Sequence, residues 1–423
     1  MRKKKILIVN SHSINVPNST GITLRSIINF FNRDELLEVY YYPVTNNSVT
    51  NATFSLKLES KTKPLYNIIS KLYKGKFKTN MTLKIVEDEI RNKPSLLNNI
   101  KKIILAYDDW LKPNIECNEE LLEKVRKFSP DVVYTLGSSI FSLRLANYFS
   151  TSFEIPIVLH HMDNWRETTY SNSRLLKYPR IKLLEELDKV ESKMNFGMTI
   201  SEEMARAYEK LSGKKYLSLM HTVKPVNEPV ELQNLNKIIN LVYAGGLHLE
   251  RWRALKQVEE AISEADFKNT EVNLVVFTKK NDKEKYEKQF DDKIVKFKDF
   301  LPHNEVLKIY EIADVLIHVE SFDPKIVSFT KYSLSTKIPE YMASGRPILC
   351  FAPKMIASSN YIMESNCGIS VSNYNDLVQA VEHLVDNKNL REHMGQCGIK
   401  KAHEKHSEEY KNGIMSVVFE IHE

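Results

Sequence analysis

The stretch that decides the fold is SLSTKIPEYMASGRPILCF, residues 333–351. Ser335 or Thr336 can cap a helix through a hydroxyl group, and Pro339 is tolerated only in the first turn of a helix. We therefore expect a short helix that begins within a residue or two of Lys337. The apolar run RPILCF then predicts a buried strand, so the stretch reads as a helix that leads into a parallel sheet.

One face of this helix carries chemical groups. Lys337, Glu340 and Tyr341 are three and four residues apart, so they share a face. Hydroxyl groups, free backbone N–H groups and a lysine at a helix start favour an anion, and a carboxylate one turn later can accept two hydrogen bonds from a ribose. The alternative interpretation is a capped surface helix with an internal Lys–Glu pair. In both interpretations the helix ends at Gly345, a residue suited to the left-handed conformation.

Length and composition indicate a globular protein of two domains. The chain has 423 residues, which is longer than a single hydrophobic core usually supports. Of these residues 42% are apolar and 27% charged, as is ordinary for a globular protein. No apolar run reaches the ~18 residues that a membrane-spanning helix needs, and the start MRKKKILIVN lacks the long apolar run of a signal peptide. The four cysteines are scattered without metal or disulfide spacing, which predicts reduced thiols in the cytoplasm.

The net charge of +6 is distributed unevenly along the chain. Residues 57–102 contain twelve lysine and arginine residues against four acidic ones, interleaved with leucine, isoleucine, tyrosine and phenylalanine. Such a surface fits an anionic membrane, and the alternative is a solvated basic face of an insertion. No nucleic-acid motif accompanies the charge, so we expect no nucleic-acid partner.

Short apolar runs alternate with helical patterns in two successive series, which predicts parallel sheets built from β-α-β units. The predicted strands are KILIVN, EVYYYPV, DVVYTL, PIVLHH, FGMTI and YLSLMH in the first half, and INLVYAGG, VNLVVFT, IVKFKD, VLIHVE, PILCF and GISVS in the second. The predicted helices are 20–32, 118–128, 138–149, 179–194, 202–211, 253–265, 303–312, 337–344 and 374–386, with helix from 388 to the end.

Two doubly wound domains leave a cleft between the carboxyl ends of their sheets, where ligands bind in this class of fold. The segment YAGGLHLERW places a second candidate site at such a strand end. Gly245 and Gly246 would let a diphosphate approach the backbone, and Arg251 would bind it with two parallel hydrogen bonds. A Gly-Gly pair alone is weak evidence, because many strand–helix turns need one.

The C-terminal half resembles the nucleotide-sugar glycosyltransferases of the GT-B fold, close to the retaining family-4 enzymes (glycosyl transferases group 1). The similarity is carried in order by NLVYAGGLHLERW, VKFKDFLPHNEVLKIYEIADVLIHVES, STKIPEYMASGRPIL and NCGISVSNYNDLVQAV. In the first half, PDVVYTLGSS, PIVLHHMDNW and MTISEEMARAY match weaker parts of the pattern.

The resemblance implies an α/β protein with two doubly wound Rossmann-like domains that face across a cleft. Residues 1–222 would form the acceptor-side domain, with a basic helical insertion at about 45–115. A linker at 223–237 would lead to the nucleotide-sugar-binding domain, 238–400, and a terminal helix within 401–423 would pack back on the first domain.

For the second domain, the resemblance implies a donor site at the motifs quoted above. Glu340 would bind the ribose hydroxyls, Lys337 with Ser335 and Thr336 would face the diphosphate together with Arg251, and Phe300-Leu301 would lie near the base. Where the family has a further acidic residue this chain has Tyr332, and Glu320 or Asp323 is the candidate substitute for the contact with the sugar.

In the first domain the resemblance singles out two stretches. His160 or His161, after the strand PIVLHH, would contact the donor sugar near the scissile bond, and Asp163 would bind an acceptor hydroxyl. Gly21 would lie at a helix start under the phosphates. The alternatives are a hydrogen-bonded histidine pair at a strand end and an ordinary capped helix.

These implications predict transfer of a sugar from a nucleotide-diphosphate-sugar donor to a hydroxyl of a glycan, lipid-linked or protein acceptor, with retention. The reaction would need no cofactor and no metal, since no Asp-x-Asp motif occurs, and would serve bacterial surface polysaccharide or glycoconjugate synthesis in the cytoplasm at the inner face of the membrane. A catalytically idle partner subunit and a sugar-nucleotide epimerase of the same fold remain the alternatives.

Overall fold

The structure is a computed structural model of the 423-residue chain, and it describes residues 4–16, 19–42, 53–55, 96–111, 119–227, 238–267, 270–301 and 305–420. Most of the basic segment 57–102 and of the expected linker 223–237 lies outside the described residues. The chain forms two compact units, Met1–His221 with Lys411–Glu423, and Thr222–Tyr410.

The described strands of the first unit form a seven-stranded parallel sheet in the order β3-β2-β1-β4-β5-β6-β7. The strands are β1 Ile6–His12, β2 Leu36–Tyr42, β3 Thr53–Ser55, β4 Val132–Thr135, β5 Ile157–His161, β6 Phe196–Thr199 and β7 Lys215–Ser218. The helices are α1 Ser19–Ile28, α2 Leu96–Leu111, α3 Glu119–Phe128, α4 Ile140–Phe153, α5 Trp165–Thr168, α6 Lys177–Ser192 and α7 Glu202–Ser212, with 3-10 turns at Arg33–Glu35 and Arg174–Leu176.

The second unit repeats this arrangement with a six-stranded parallel sheet in the order β10-β9-β8-β11-β12-β13, counted over the described strands. Its strands are β8 Ile238–Ala244, β9 Glu271–Thr278, β10 Val295–Asp299, β11 Val315–Val319, β12 Ile348–Phe351 and β13 Gly368–Val371. Its helices are α8 Arg251–Glu264, α9 Lys280–Tyr286, α10 Val306–Glu311, α11 Pro324–Thr330, α12 Lys337–Ala343, α13 Ala357–Glu364, α14 Tyr374–Asp386 and α15 Lys388–His406, and Glu287–Gln289 forms a 3-10 turn.

Both sheets confirm the predicted α/β class, since every predicted strand is present and all pairings are parallel. Strands such as β11, whose five residues are all buried, read as continuous apolar runs because both faces of a parallel sheet are covered. The sequence did not predict β3, α5, α9, α11 or α13, which are only three to eight residues long.

Helix α12 begins at Lys337, as expected, and has Pro339 in its first turn. Thr336 precedes the helix without a capping hydrogen bond from its side chain, so the expected hydroxyl cap is wrong. Gly345, with φ of 70°, stops the helix in the left-handed region. A Cβ atom on Gly395 of α15 would overlap the carbonyl oxygen of Gly345, so the two backbones touch where α12 ends.

The last helix, α16 Glu408–Val418, begins in the second unit and continues into the first. Met415, Val418 and Phe419 are buried, and the Phe419 ring meets the Phe31 ring edge-on at 5.1 Å between centroids. Lys411 donates to Asn29 Oδ1 at 2.7 Å. Residues 411–420 thus complete the core of the first unit, whereas 401–410 belong to the second unit.

Across the residues that the structure describes, none of the helices combines the length and the apolar character needed to cross a membrane.

Candidate nucleotide-sugar site

The glycine turn after β8 is shaped by contacts on both sides. The Tyr243 hydroxyl donates to the carbonyl oxygen of Gly246 at 2.7 Å, and the Leu247 amide donates to Asp282 Oδ2 at 3.0 Å. A Cβ atom on Gly245 would overlap the Lys337 ammonium group, and one on Gly246 would lie 2.5 Å from His248 Nδ1. The bare backbone of Gly245 therefore makes room for the Lys337 side chain, and that of Gly246 makes room for the His248 ring.

Lys337, the first residue of α12, brings its ammonium group to this turn from far along the chain. Its Nζ lies 5.0 Å from the centre of the Tyr243 ring, within cation–π range. Burial, with a smaller contribution from the Arg251 charge, lowers the pKa of Lys337 from 10.5 to about 7. An anion bound at the turn would restore the charge, because a nearby opposite charge favours the protonated form.

Arg251, the first residue of α8, forms an ion pair with Glu320 at the end of β11, in which Glu320 is buried and Arg251 is partly buried. Arg251 Nη2 lies 2.7 Å from Glu320 Oε1, and Arg251 Nε lies 3.1 Å from Oε2, so the guanidinium group binds both carboxylate oxygens. Burial opposes ionisation of both groups, but their mutual attraction outweighs it and lowers the pKa of Glu320. Arg251 follows β8 and Glu320 follows β11, and these two strands are neighbours in the sheet.

His318 extends this cluster, because residues two apart on a strand share a face. Its Nε2 lies 3.5 Å from Glu320 Oε1, and burial lowers the pKa of His318 to about 4. His318 is therefore neutral near pH 7. The result is a group in which the Glu320 carboxylate contacts Arg251 and His318, while Lys337 acts on it through its charge.

Glu340, the candidate ribose ligand, is held by a tyrosine that the sequence analysis did not single out. The hydroxyl of Tyr310, a buried residue on α10, donates to Glu340 Oε2 at 2.6 Å. Burial and the neighbouring Glu340 charge raise the pKa of Tyr310, so the phenol stays protonated and keeps its proton for the carboxylate. One helical turn of α12 separates Glu340 from Lys337.

The other predicted donor ligands of the second unit precede α12 or follow β10. Ser335 and Thr336 precede α12 and are partly exposed, and the Ser335 amide contacts Ser358 Oγ at 3.4 Å. Phe300 follows β10 with 39% of its surface exposed, and Leu301 is partly buried. Phe300 and Leu301 thus supply an apolar pair, exposed at Phe300, beyond a strand end.

The two candidate substitutes for the acidic residue missing at Tyr332 have different environments. Asp323 is exposed and caps α11, because its Oδ1 accepts from the amides of Lys325 at 2.9 Å and Ile326 at 3.2 Å. Glu320 is 3% exposed and lies in the cationic cluster. Of the two, Glu320 is the one that the structure brings to Arg251.

The histidine pair of the first unit is buried. His160 is 0% exposed and His161 is 1% exposed. His160 Nδ1 lies 2.7 Å from the Tyr134 hydroxyl, and the His161 ring meets the Tyr208 ring edge-on at 4.6 Å. Burial lowers the pKa of both histidines to about 3, so both are neutral at physiological pH.

Asp163 and Gly21 are the other candidates in the first unit. Asp163 follows β5 and is partly exposed, and its carbonyl oxygen accepts from the Trp165 amide at 2.7 Å. Gly21 lies in the first turn of α1, where a Cβ atom would overlap the carbonyl oxygen of Val16. The close approach of loop and helix explains why a glycine is needed there. Catalytic and binding roles for these residues stay predictions.

In the described ranges, no group of three or more histidine, cysteine, aspartate or glutamate side chains is arranged to hold a metal ion. The positive charge available in the second unit's site comes instead from side chains. Sequence reasoning found Lys337, Arg251 and Glu320 but not Tyr243, Asp282, His318 or Tyr310. For His318 a signal existed, since it lies two residues before Glu320 on a predicted strand.

Residues 239–387 match the model of the family described as Glycosyl transferases group 1. This range contains the glycine turn, Arg251, Glu320 and the whole of α12. No curated protein matches the sequence of this chain.

Solved structures resemble the chain over nearly its whole length at low sequence identity. HepE of Anabaena in complex with UDP has a TM-score of 0.61 and 13% identity, covering 98% of this chain and 99% of that one. Sucrose-phosphate synthase of Thermosynechococcus elongatus has a TM-score of 0.58 and 11% sequence identity, and the match covers 99% of this chain and 98% of that one. Trehalose 6-phosphate synthase of Burkholderia multivorans has a TM-score of 0.59 and 10% sequence identity, and the match covers 99% of this chain and 97% of that one.

At these identities the structural likeness establishes the fold alone, and the family model matches 149 of the 423 residues. Both agree with the resemblance read from the sequence motifs. The chain has the GT-B fold, and its residues 239–387 are similar to the glycosyl transferases group 1 domain.

Proposed function

We propose that this protein transfers a sugar from a nucleotide-diphosphate-sugar donor to an acceptor hydroxyl, with retention of the anomeric configuration. The observation that carries the proposal is the Lys337 side chain, which lies against the bare backbone of Gly245 and is close enough to Arg251 for the guanidinium charge to lower its pKa. HepE, which has the same fold, was crystallised with UDP and with UDP-glucose. A uridine donor is therefore the first to test.

The leaving group of such a reaction is a nucleoside diphosphate, so the main task of the site is to neutralise charge that develops on the β-phosphate. Arg251 stays charged at all relevant pH values, and the neutral amine of Lys337 gains a proton and becomes an ammonium group as the anion binds. Two side-chain cations supply this charge, so we propose that the reaction needs no metal and no cofactor.

The carboxylate of Glu340 would accept the ribose hydroxyls. Tyr310 fixes one of its oxygens, which limits the rotation of the carboxylate before the donor binds. Phe300 and Leu301 would contact the base through apolar surface and backbone atoms. Ser335 and Thr336, before α12, would add hydroxyl donors to the diphosphate.

The acceptor side is assigned to the first unit by the family resemblance, with Asp163 as the ligand of the acceptor hydroxyl. The resemblance also assigns a donor-sugar contact to His160, which is 0% exposed here, so that contact would require the packing around the histidine to open. Retention, with front-face attack assisted by the departing phosphate, is likewise taken from the resemblance. A glycan, a lipid-linked sugar and a protein are the acceptor classes, and we propose a role in bacterial surface polysaccharide or glycoconjugate synthesis.

The cytoplasm is the proposed compartment. Among the described cysteines, Cys350, Cys367 and Cys397 are free thiols, as a reducing environment would keep them.

A binding subunit without turnover is a second candidate, because the Arg251 guanidinium group is already engaged by Glu320 on both oxygens. In that case the cluster would bind nucleoside diphosphates, but no sugar would be transferred. Both proposed functions therefore predict binding of nucleoside diphosphates, and only the first predicts transfer of a sugar.

The first test is a thermal-shift panel of nucleoside diphosphates and their sugars, since a ligand at 100 times its Kd adds about 2.7 kcal/mol to native stability. The second test measures transfer with the stabilising donor in Lys337→Ala and Glu340→Ala. We expect a loss of at least about 10²-fold, comparable to the loss of one oxyanion donor. Lys354→Ala, which removes an exposed lysine of the same unit, is the control. Parent rates in both site variants would refute the proposal.

A further inference from the structure

Helix α2 of the first unit has an unusual distribution of apolar residues. Its sequence is LLNNIKKIILAYDDWL, yet among its described side chains only Ala106 and Asp109 are buried. Asp109 attaches the helix to the unit, because its carboxylate accepts from the amides of Ile140 at 2.9 Å and Phe141 at 3.2 Å. This attachment leaves Leu111, at the end of the helix, 56% exposed.

The end of α2 lies beside the start of α6. The Tyr107 hydroxyl donates to the carbonyl oxygen of Leu175 at 3.1 Å, and the rings of Trp110 and Tyr178 stack with an interplanar angle of 10°. Leu175 and Tyr178 are 63% and 62% exposed. Two segments that are far apart in sequence thus bring apolar side chains to one surface.

We call this surface the apolar face and define it by Trp110, Leu111, Leu175, Tyr178 and Ile181. Ile181, one turn after Tyr178 on α6, is 43% exposed. Large apolar side chains gathered on a surface mark an interaction site more often than isolated ones do.

The charges next to Leu175 and Tyr178 are positive, although the partly exposed Asp108 lies near Trp110 on α2. Arg174 and Lys177 are close in sequence to Leu175 and Tyr178, and the chain has no acidic residue between Glu167 and Glu185. Tryptophan and tyrosine rings beside lysine and arginine are the combination that suits the interfacial region of a bilayer. A purely apolar protein partner would leave these cations unused.

We propose that the apolar face docks on the surface of an anionic lipid bilayer. Leu111, Leu175 and Ile181 would enter the boundary between headgroups and acyl chains, Trp110 and Tyr178 would lie at headgroup level, and Arg174 and Lys177 would contact anionic headgroups. This inference goes beyond the transfer reaction proposed above, and its test does not depend on catalysis.

The test is sedimentation of the full chain with vesicles of phosphatidylcholine alone and with added phosphatidylglycerol. We expect binding to the anionic vesicles only. Leu175→Ser with Tyr178→Ser should lower the partition coefficient by at least about tenfold. Arg174→Glu with Lys177→Glu should also lower it by at least about tenfold, since each basic residue near such a surface contributes about fivefold. At high salt the difference in binding between the parent and the Arg174→Glu, Lys177→Glu variant should become smaller, whereas the difference between the parent and the Leu175→Ser, Tyr178→Ser variant should remain.

The matched control is Lys210→Glu with Leu211→Ser in α7, because Leu211 is also strongly exposed, at 52%, beside a lysine of the same unit. It should bind like the parent. Melting temperatures equal to that of the parent show that the variants are folded, and binding data from an unfolded variant are replaced by those of the single change Leu175→Ser.

Three outcomes would overturn the proposal. The parent binds neutral and anionic vesicles equally or not at all, or the control loses as much as the face variants, or the face variants bind like the parent. In the last case the basic segment 57–102 alone would carry the binding. If light scattering shows a parent dimer that the face variants convert to monomers, with vesicle binding unchanged, the face is an interface between two copies of this chain.

Discussion

The two sheets share a strand order around their centres, but the charged side chains near the loop after β1 and near the loop after β8 have different binding partners. After β1, Arg25 Nη1 donates to the carbonyl oxygens of Ile14 and Val16, both at 3.0 Å, and the buried Glu38 accepts from the Ile14 amide at 2.6 Å. There, backbone groups bind both charges and fix the loop.

After β8 the charges are bound by other side chains. Arg251 binds Glu320, and Lys337 lies against Gly245 and above the Tyr243 ring. A charge bound by backbone groups supports the structure, whereas the Lys337 amine, with a pKa of about 7, can take up a proton when an anion binds beside Arg251. This difference supports our proposal that the second unit binds the diphosphate, although the strand orders alone do not distinguish the units.

The largest expected effect concerns the first unit, whose core depends on a segment from the end of the chain. Deletion of 411–423 removes the buried Met415, Val418 and Phe419, so we expect the first unit to unfold and transfer to be abolished. Nucleoside diphosphate binding to the second unit should persist. Hydrogen exchange of the β4 amides and the thermal shift with UDP measure the two effects separately.

A milder variant sharpens the same prediction. Phe419→Ala should lower the free energy of unfolding by about 3–5 kcal/mol, as large-to-small changes of buried aromatic residues do. Val417→Ala, which truncates a side chain of the same helix that is 49% exposed, should change it little. Normal turnover and melting temperature after the deletion would show that the tail is dispensable.

The next effect tests the buried pair in the second unit. Arg251→Ala leaves Glu320 buried without its cation, which should cost about 3–5 kcal/mol of stability. Arg251→Ala with Glu320→Gln should recover most of this loss, because no unpaired charge remains. Arg25→Ala, which leaves only carbonyl groups behind, should cost less than Arg251→Ala. Denaturant unfolding of the parent and the three variants checks the order, and a double variant less stable than Arg251→Ala would contradict it.

The contrast between the units also shows what sequence can predict. The strands were predicted because buried parallel strands are continuous apolar runs. Helix α12 was predicted because Pro339 fits only a first helical turn and Gly345 suits a left-handed end. The pairs Arg251–Glu320 and Tyr310–Glu340 join residues 69 and 30 positions apart. Such partners depend on the strand order, which a local pattern does not encode.

Burial was equally hard to predict for the histidines. His160 and His161 end a strand in sequence whether they face solvent or the core, and only the packing of Tyr134 and Tyr208 around them decides it. The short helices α9, α11 and α13 span two turns or so, too few for a helical period to be recognised.

A smaller effect is expected where Tyr310 holds Glu340. Tyr310→Phe removes a 2.6 Å hydrogen bond to the carboxylate, and we expect affinity for UDP to fall by about tenfold, within the range for hydrogen bonds to charged groups. The control is a 2′,3′-dideoxy nucleoside diphosphate, which offers no ribose hydroxyls to Glu340. Its affinity should be the same for parent and variant. An equal loss for both ligands in calorimetry would mean that Tyr310 supports the fold rather than the ribose contact.

The smallest effect is a pH dependence of stability that Lys337, the partly buried lysine of the second unit, should produce. Burial lowers the pKa of Lys337 to about 7 in the folded protein, against 10.5 for the ordinary group. Between these values the unfolded chain binds a proton that the folded chain has released, so stability rises with pH across this window. Below pH 7 both states are protonated, and the full destabilising effect of the buried charge is present.

Lys337→Met removes this titration without changing the volume of the side chain greatly. From pH 7 to 8 the free energy of unfolding of the parent should increase relative to that of the variant by up to about 1 kcal/mol, since the full slope is about 1.36 kcal/mol per pH unit. In the first unit, the pKa values of His160 and His161 are about 3, so these histidines contribute nothing in this range. Denaturant unfolding at the two pH values measures the difference. Parallel curves for parent and variant would mean that the ammonium group stays protonated at the glycine turn, and that the two units do not differ in this respect.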